Sequence, residues 1–289
     1  MKDITLILNA APSDADYAEL NIIHLIKQHS SISERILIID TSKTKHGNEL
    51  NEDYQNKLDK IIAIAEKLLR SSLITQIIYT HSYINFNTLY KKFLNKFIES
   101  KHEYDYRGAP IGAYLIGFDL TQTKFQLRYD IDMLLHQPDV VDWTEYAISV
   151  MNKDVRILCS SPSTAPKKYN NLLKDEKFCW FSTRCSLINM EIFYKMKHSL
   201  SIQFRIQSYL RKFLKKSYPP AFETIVYQMM LKNKVTSLYI NSHKAYLLHP
   251  ENKNAYYINI LPKIISCIEN NNIPDEQLEK EYINLSAWT

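Results

Sequence analysis

Three short apolar runs, Ile4 to Asn9, Arg35 to Asp40 and Thr75 to Tyr79, alternate with segments whose hydrophobic residues recur at helical spacing, and this alternation limits the fold more than any other feature of the chain. The helical segments are marked by Leu20, Ile23 and Ile26, then by Leu58, Ile61, Ile62, Ala65, Leu68 and Leu69, and after the third run by Phe86, Leu89, Tyr90, Phe93, Leu94 and Phe97. Unbroken apolar runs suit strands buried on both faces, and strands joined through helices run parallel. The pattern predicts an α/β fold with a mostly parallel central sheet flanked by helices. Ser13 or Asp14 is placed to cap the first helix.

Beyond residue 140 the rhythm loosens. Val155 to Cys159, Trp180 to Ile188, Val235 to Ile240 and Ala245 to Leu248 read as strands. Helices are predicted at Glu191 to Lys197, Ile202 to Leu214, Pro219-Pro220 to about Leu231 and Ile258 to Ile268. The chain of 289 residues, 45% hydrophobic, can bury one large core, so residues 1–140 and 141–289 are expected as two halves of one catalytic unit. The first apolar run is too short for a secretion signal, and no later one reaches the roughly eighteen residues of a membrane span. Cys159, Cys179, Cys185 and Cys267 show no C-x-x-C spacing and read as reduced core residues, which points to the cytoplasm.

The net charge of +5 is concentrated at Arg205, Arg211, Lys212, Lys215 and Lys216. A solvated helix face would explain this run. So would a surface meeting anionic lipid headgroups at the inner face of a membrane, or a phosphate-bearing acceptor. No nucleic-acid-binding signature accompanies it, so nucleic acid is not an expected partner.

Ligands of open parallel sheets bind beyond the carboxyl ends of the strands, which singles out Asn9, Asp40, Thr80 and Asp130. No G-x-G-x-x-G follows the first strand and no Walker A pattern occurs, which argues against dinucleotide and P-loop sites. Three of the four glycines, Gly108, Gly112 and Gly117, cluster in RGAPIGAYLIGFD. They predict a turn at Gly108 and a helix opening at Pro110 whose small face approaches a neighbouring backbone closely. Arg107 then stands at a helix N-terminus, a ready anion site.

The segment FQLRYDIDMLLH delivers Asp130 and Asp132 on an apolar strand, where a bend can aim both carboxylates at one divalent cation and its bound phosphates. Two aspartates capping turn N–H groups would look the same in sequence. A second triplet, Asp14-Ala15-Asp16, reads as helix capping. In its order of helix RGAPIGAYLIGFDLTQT, strand KFQLRY and then DID, with RILIID placing Asp40 at the end of the second strand, the chain resembles the GT-A fold glycosyltransferases, broadly those of family 2. The resemblance covers roughly residues 1 to 140, and it departs from the family where Thr41 and Ser42 replace a second aspartate after Asp40.

That resemblance implies a nucleotide-sugar-binding first half and an acceptor-binding second half. Asp40, Arg107 and Asp130 would contact a nucleoside diphosphate sugar, and Asp130, Asp132 and His249 would hold Mn²⁺ or Mg²⁺, with His136 the competing ligand. Glu223 or Asp142 would be the base, and Trp180 and Arg184 would meet a carbohydrate, lipid-linked or other hydroxyl acceptor in glycoconjugate synthesis. Two other classes stay open: a nucleotidyltransferase acting on a sugar phosphate, disfavoured because LNAAPSDAD lacks the glycines and bases of such a loop, and a non-catalytic sugar-nucleotide-binding module. Trp180 and His249 also have plain readings, as a core aromatic and a solvent-facing histidine, and Glu223 as an acid favourable to a helix N-terminus.

Overall fold

The structure, a computed structural model, describes residues 3–41, 52–83, 86–94, 98, 102–138, 142–164, 175–241 and 244–288. Its first half is the predicted alternation: β1 (Ile4–Ala10), α1 (Ala18–Gln28), β2 (Glu34–Ile39), α2 (Glu52–Arg70), β3 (Gln76–Tyr79), α3 (Phe86–Leu94), α4 (Gly112–Leu120) and β4 (Phe125–Asp130). Then follow β5 (Leu134–His136), α5 (Trp143–Lys153), β6 (Ile157–Pro162), β7 (Glu176–Phe178), β8 (Cys185–Asn189), α6 (Met190–Lys195), α7 (Ile202–Phe213), α8 (Phe222–Asn233), β9 (Thr236–Ile240), β10 (Tyr246–Leu248) and α9 (Ala255–Glu269). Phe97, assigned above to the third helix, lies outside the described residues.

One eight-stranded sheet runs in the order β3-β2-β1-β4-β8-β6-β9-β7. The strands are parallel except β8 and β7, so the sheet is mostly parallel and the arrangement is GT-A-like. Residue 140 marks no break in it, because β4 of the first half pairs with β8 of the second. Every residue of β1 is buried. Leu6 and Leu8 pack under α1, α2 and α5, while Ile7 faces the opposite layer with α3, α4 and α8. An unbroken apolar strand is what a sheet covered on both faces demands. A third cluster joins α9 to the two-stranded sheet β5-β10 through Leu134, Leu248, Tyr257 and Leu261.

Three local expectations change. The helix predicted from Pro110 begins at Gly112, because Pro110 instead bridges Tyr104 across a tight turn in which Gly108 takes φ of +90°. Asp14 does not cap α1: it closes the short helical turn Pro12–Asp14, accepting from the N–H of Ala11 at 2.9 Å, and α1 starts at Ala18 without a side-chain cap. The strand expected from Trp180 is confined to Cys185–Asn189, where pairing with β4 starts at Tyr129.

Candidate active site

The chain passes from β1 to β2 and β3 on one flank of the sheet and returns to β4 on the other, so the connections switch sides at β1. Such a switch point opens a crevice at the carboxyl ends of the strands. Here it is a cleft of about 170 Å³ whose walls include Asp14, Asp40, Tyr114, Asp130, Asp132 and Lys253. Complete small-molecule sites run to roughly 300–1,000 Å³, so the cleft is smaller than a whole site of that kind. Asp40 is buried at the end of β2 and accepts from the Thr80 hydroxyl at 3.1 Å, which fixes its rotamer from the end of β3.

Asp130 ends β4 directly beside Asn9 of β1, whose side-chain amide donates to its Oδ1 at 3.3 Å. The backbone then bends: the Asp130 N–H donates to Arg184 O, the Ile131 N–H to Asn9 O and the Met133 N–H to Asp130 O. Asn21 of α1 holds the bend by donating to Ile131 O at 2.8 Å. The turn brings Asp132 onto the same cleft as Asp130. Burial, with the like charge of Asp132 adding to it, pushes Asp130 up to about 7 against the pull of Arg128, Asn9 and Tyr114. Burial alone would raise Asp132 too, but hydrogen bonds from His249 and Lys253 and their charge outweigh it and bring Asp132 down to about 2.

The β5-β10 pairing sets the two histidines at opposite ends of one short ladder. Leu248 lies opposite Leu134, so the next residue of each chain brings His249 to the Asp132 turn, and His249 Nε2 sits 3.2 Å from Asp132 Oδ2. His136 is at the other end of that ladder, buried and stacked on Tyr246 at 4.6 Å between ring centres. The His249 backbone is tied in turn to the C-terminal segment, its carbonyl accepting from the Ile283 N–H at 2.9 Å.

Two charged residues complete the cleft that the sequence reading did not place there. Lys253 Nζ lies 2.8 Å from Asp132 Oδ2 and 3.7 Å from Asp14 Oδ1. It stands directly before Asn254, whose side chain caps α9 by accepting from the Tyr257 N–H, so a helix start fixes its position. Asp14 also accepts from the Tyr17 hydroxyl, and burial raises its pKa. Its neighbour Asp16 turns away to an ion pair with Lys60 at 2.6 Å.

The opposite wall joins two residues singled out separately. Arg107 is not at a helix N-terminus: it forms ion pairs with Asp105 at 2.9 Å and with Glu223 at 2.6 Å, so it serves a carboxylate of the protein itself. Glu223, in the first turn of α8, also accepts from the Thr183 hydroxyl at 2.7 Å. The preceding Phe222 stacks on Tyr114 at 5.2 Å, and the Tyr114 hydroxyl donates to Asp130 Oδ2 at 3.3 Å. Under this wall Arg128 is fully buried, its guanidinium 4.2 Å from the centre of the Tyr114 ring and its nitrogens without a hydrogen-bond partner among the described residues.

Other predicted residues fall elsewhere. Asp142 caps α5, accepting from the N–H groups of Thr144 and Glu145, and is not part of the cleft wall. The Trp180 ring packs with Phe178 and Tyr239, on the strands at the far edge of the sheet from β4. Arg184 stands next to Thr183, and its carbonyl anchors the Asp130 N–H.

Among the described residues no three His, Cys, Asp or Glu side chains are arranged as a ready metal site. The donors nevertheless suit a hard divalent cation. Asp132 Oδ1 and His249 Nδ1 are buried without a hydrogen-bond partner among the described residues, and an ionised carboxylate oxygen in that state can take a cation. Lys253 supplies positive charge at the same carboxylate.

No family model and no curated protein matches the sequence. Among solved structures, the galactosyltransferase LgtC in complex with donor and acceptor sugar analogues aligns with 82% of this chain and 72% of its own, at 13% identity and a TM-score of 0.40. The UTP-bound UGPase of Acinetobacter baumannii aligns with 85% and 88% of the two chains, at 9% identity and a TM-score of 0.40. For the mannosyltransferase Ktr4p of S. cerevisiae in complex with GDP the values are 79%, 66%, 13% and 0.36. At these scores the likenesses add nothing to what the chain displays by itself, a GT-A-like sheet with acidic residues gathered at its switch point.

Proposed function

We propose that the protein is a metal-dependent glycosyltransferase, moving a sugar from a nucleoside diphosphate sugar to an acceptor hydroxyl. The observation that carries this reading is the meeting of Asp130, Asp132, His249 and Lys253 at the carboxyl ends of the parallel strands, with Asp40 two strands away, beyond β1. Asp130, Asp132 and His249 would hold Mn²⁺ or Mg²⁺, which when bound supplies charge stabilisation to the leaving diphosphate. Asp40, fixed by Thr80, orients the nucleoside. Lys253 exchanges Asp132 for a phosphate oxygen, so the donor replaces an internal ion pair instead of entering an uncompensated acidic cleft.

Glu223 is the base in this reading. Arg107 and Thr183 each hold one of its oxygens, which keeps the carboxylate oriented across Tyr114 from Asp130. Arg107 therefore positions the base and leaves the donor to Lys253. Asp142 is given up as the base because its carboxylate is committed to the start of α5. Residues 1–140 supply most of the donor side, joined there by His249 and Lys253, and the rest of 141–289 meets the acceptor, with Arg184 beside the reacting end and Trp180 at the outer edge. A nucleotidyltransferase is disfavoured by Asp14, which puts a carboxylate on the loop after β1 where that chemistry needs bases.

Thermal-shift and donor-hydrolysis measurements with a panel of nucleoside diphosphate sugars, with and without Mn²⁺, test the proposal. A metal-dependent melting shift with at least one donor, lost in Asp132→Ala, is expected. No shift with any donor, or pyrophosphate release from nucleoside triphosphate and sugar phosphate, would sink it.

A further inference from the structure

Helix α7 turns its apolar face away from the protein. Its buried residues are Phe204 and Ser208, whereas Ile202, Ile206, Tyr209, Leu210, Phe213 and the adjoining Leu214 are exposed, Ile202 at 75% and Phe213 at 84%. At 100° per residue these six fall in one stripe about 140° wide, on the side opposite Phe204. A stripe of that size facing water marks a docking surface.

The charge of the segment identifies the partner. Between Glu191 and Glu223 the sequence contains no Asp or Glu but has Lys195, Lys197, Arg205, Arg211, Lys212, Lys215 and Lys216. Arg205 and Lys212 flank one edge of the stripe, and Lys215 and Lys216 follow its end. Two copies meeting stripe to stripe about a twofold axis would set these bases against one another, with no carboxylate in the segment to pair them. An acidic bilayer satisfies both halves of the pattern, offering apolar depth to the stripe and negative charge to its rim.

We propose that α7 is an in-plane docking helix that seats the protein on an anionic phospholipid surface. The helix has twelve residues, and no helix among the described residues is long and apolar enough to cross a membrane, so α7 lies on the surface. From α7 the chain reaches Glu223 through residues 214–221, and Pro219 O accepts from the Tyr106 N–H at 2.9 Å beside Arg107. These residues therefore connect the docking helix directly to the segment that carries Glu223 and borders Arg107. The docking stands apart from the reading of the cleft, since it uses none of the cleft's residues.

The test is flotation of the full chain, without nucleotide or metal, on phosphatidylcholine vesicles with and without phosphatidylserine. Wild type is expected to float with the phosphatidylserine vesicles and to stay at the bottom with phosphatidylcholine alone. Each base near the surface contributes roughly a fivefold factor. The quadruple variant R205Q/K212Q/K215Q/K216Q, at the bases beside the edge and the end of the stripe, should therefore lose partitioning by several hundredfold. The double variant I206S/F213S, at exposed positions that leave the core untouched, should lose it at least about tenfold with an unchanged far-UV spectrum. Equal partitioning onto both vesicle types, no partitioning, or a solution dimer by sedimentation that I206S/F213S converts to monomer, would each overturn the proposal.

Discussion

Arg128 buries a guanidinium whose nitrogens have no hydrogen-bond partner among the described residues, and replacing it by methionine separates stability from function. Its guanidinium is fully buried behind Asp130, two residues away on the same face of β4, with burial lowering its pKa. Asp130 has a raised pKa, so the stability its carboxyl contributes is complete below about 3.8 and is lost as pH rises through about 7. At pH near 5.5 Asp130 is largely protonated, and the Tyr114 ring remains as the main compensation for Arg128, worth about 2 kcal/mol. Desolvating a cation whose donors are unpaired costs several kcal/mol. Arg128→Met should therefore gain about 1–3 kcal/mol at that pH.

At pH near 8.5 Asp130 is ionised, and attraction across about 6.6 Å at an effective dielectric of about 20 amounts to about 2.5 kcal/mol. The gain then vanishes or reverses, because the variant leaves a carboxylate buried without its partner. Urea unfolding at the two pH values, with the midpoint and slope fitted separately, measures this difference. A loss of stability equal at both pH values would refute the reasoning, since it would mean that the guanidinium is held by contacts that ignore the charge of Asp130.

Three further outcomes follow from the same geometry. Binding of Mn²⁺, followed by calorimetry, should weaken about tenfold per pH unit below 7 as a proton must leave Asp130, and Asp130→Asn should remove that dependence along with most of the affinity. Glu223→Gln should lower kcat by roughly 10²–10⁴ while leaving donor affinity in the thermal-shift assay unchanged, and Thr183→Val should lower kcat less and shift its pH profile, as loss of a positioning bond requires. Gly112→Ala puts a methyl 2.5 Å from the Phe86 ring and should lower stability by about 1–3 kcal/mol, whereas Gly117→Ala meets Ile7 only at 3.4 Å and should be neutral to about 1 kcal/mol stabilising; chemical unfolding of the pair checks both.

The first half was legible because its information is local. An apolar run such as Ile4 to Asn9 can bury both faces only in a covered sheet, and the carboxyl ends of such strands fall together whatever the loops do, so Asp40, Asp130 and Asp132 could be found from sequence. Asp14 and Lys253 could not. One sits in a triplet that looks like a cap, the other in the polar run ENKN, and only the sheet register and the start of α9 bring them to Asp132. Arg107 was misplaced because the helix start was set at Pro110, while the Tyr104 bridge delays it to Gly112 and turns the guanidinium toward Glu223. The exposed face of α7 was hidden for the opposite reason: periodicity shows that a stripe exists, not whether it faces the core.

The β5-β10 pairing joins Asp132 to His249 across 117 residues of chain. A contact between positions that far apart closes a large loop, so it forms only after most other structure is in place. A partly folded or shortened molecule can thus own the first four strands with Asp130 and Asp132 and still lack His249 and Lys253. If the cleft takes a cation as proposed, its affinity would then report on whether the whole polypeptide has finished folding, and a chain arrested before β10 would hold the ion weakly while already carrying a sheet.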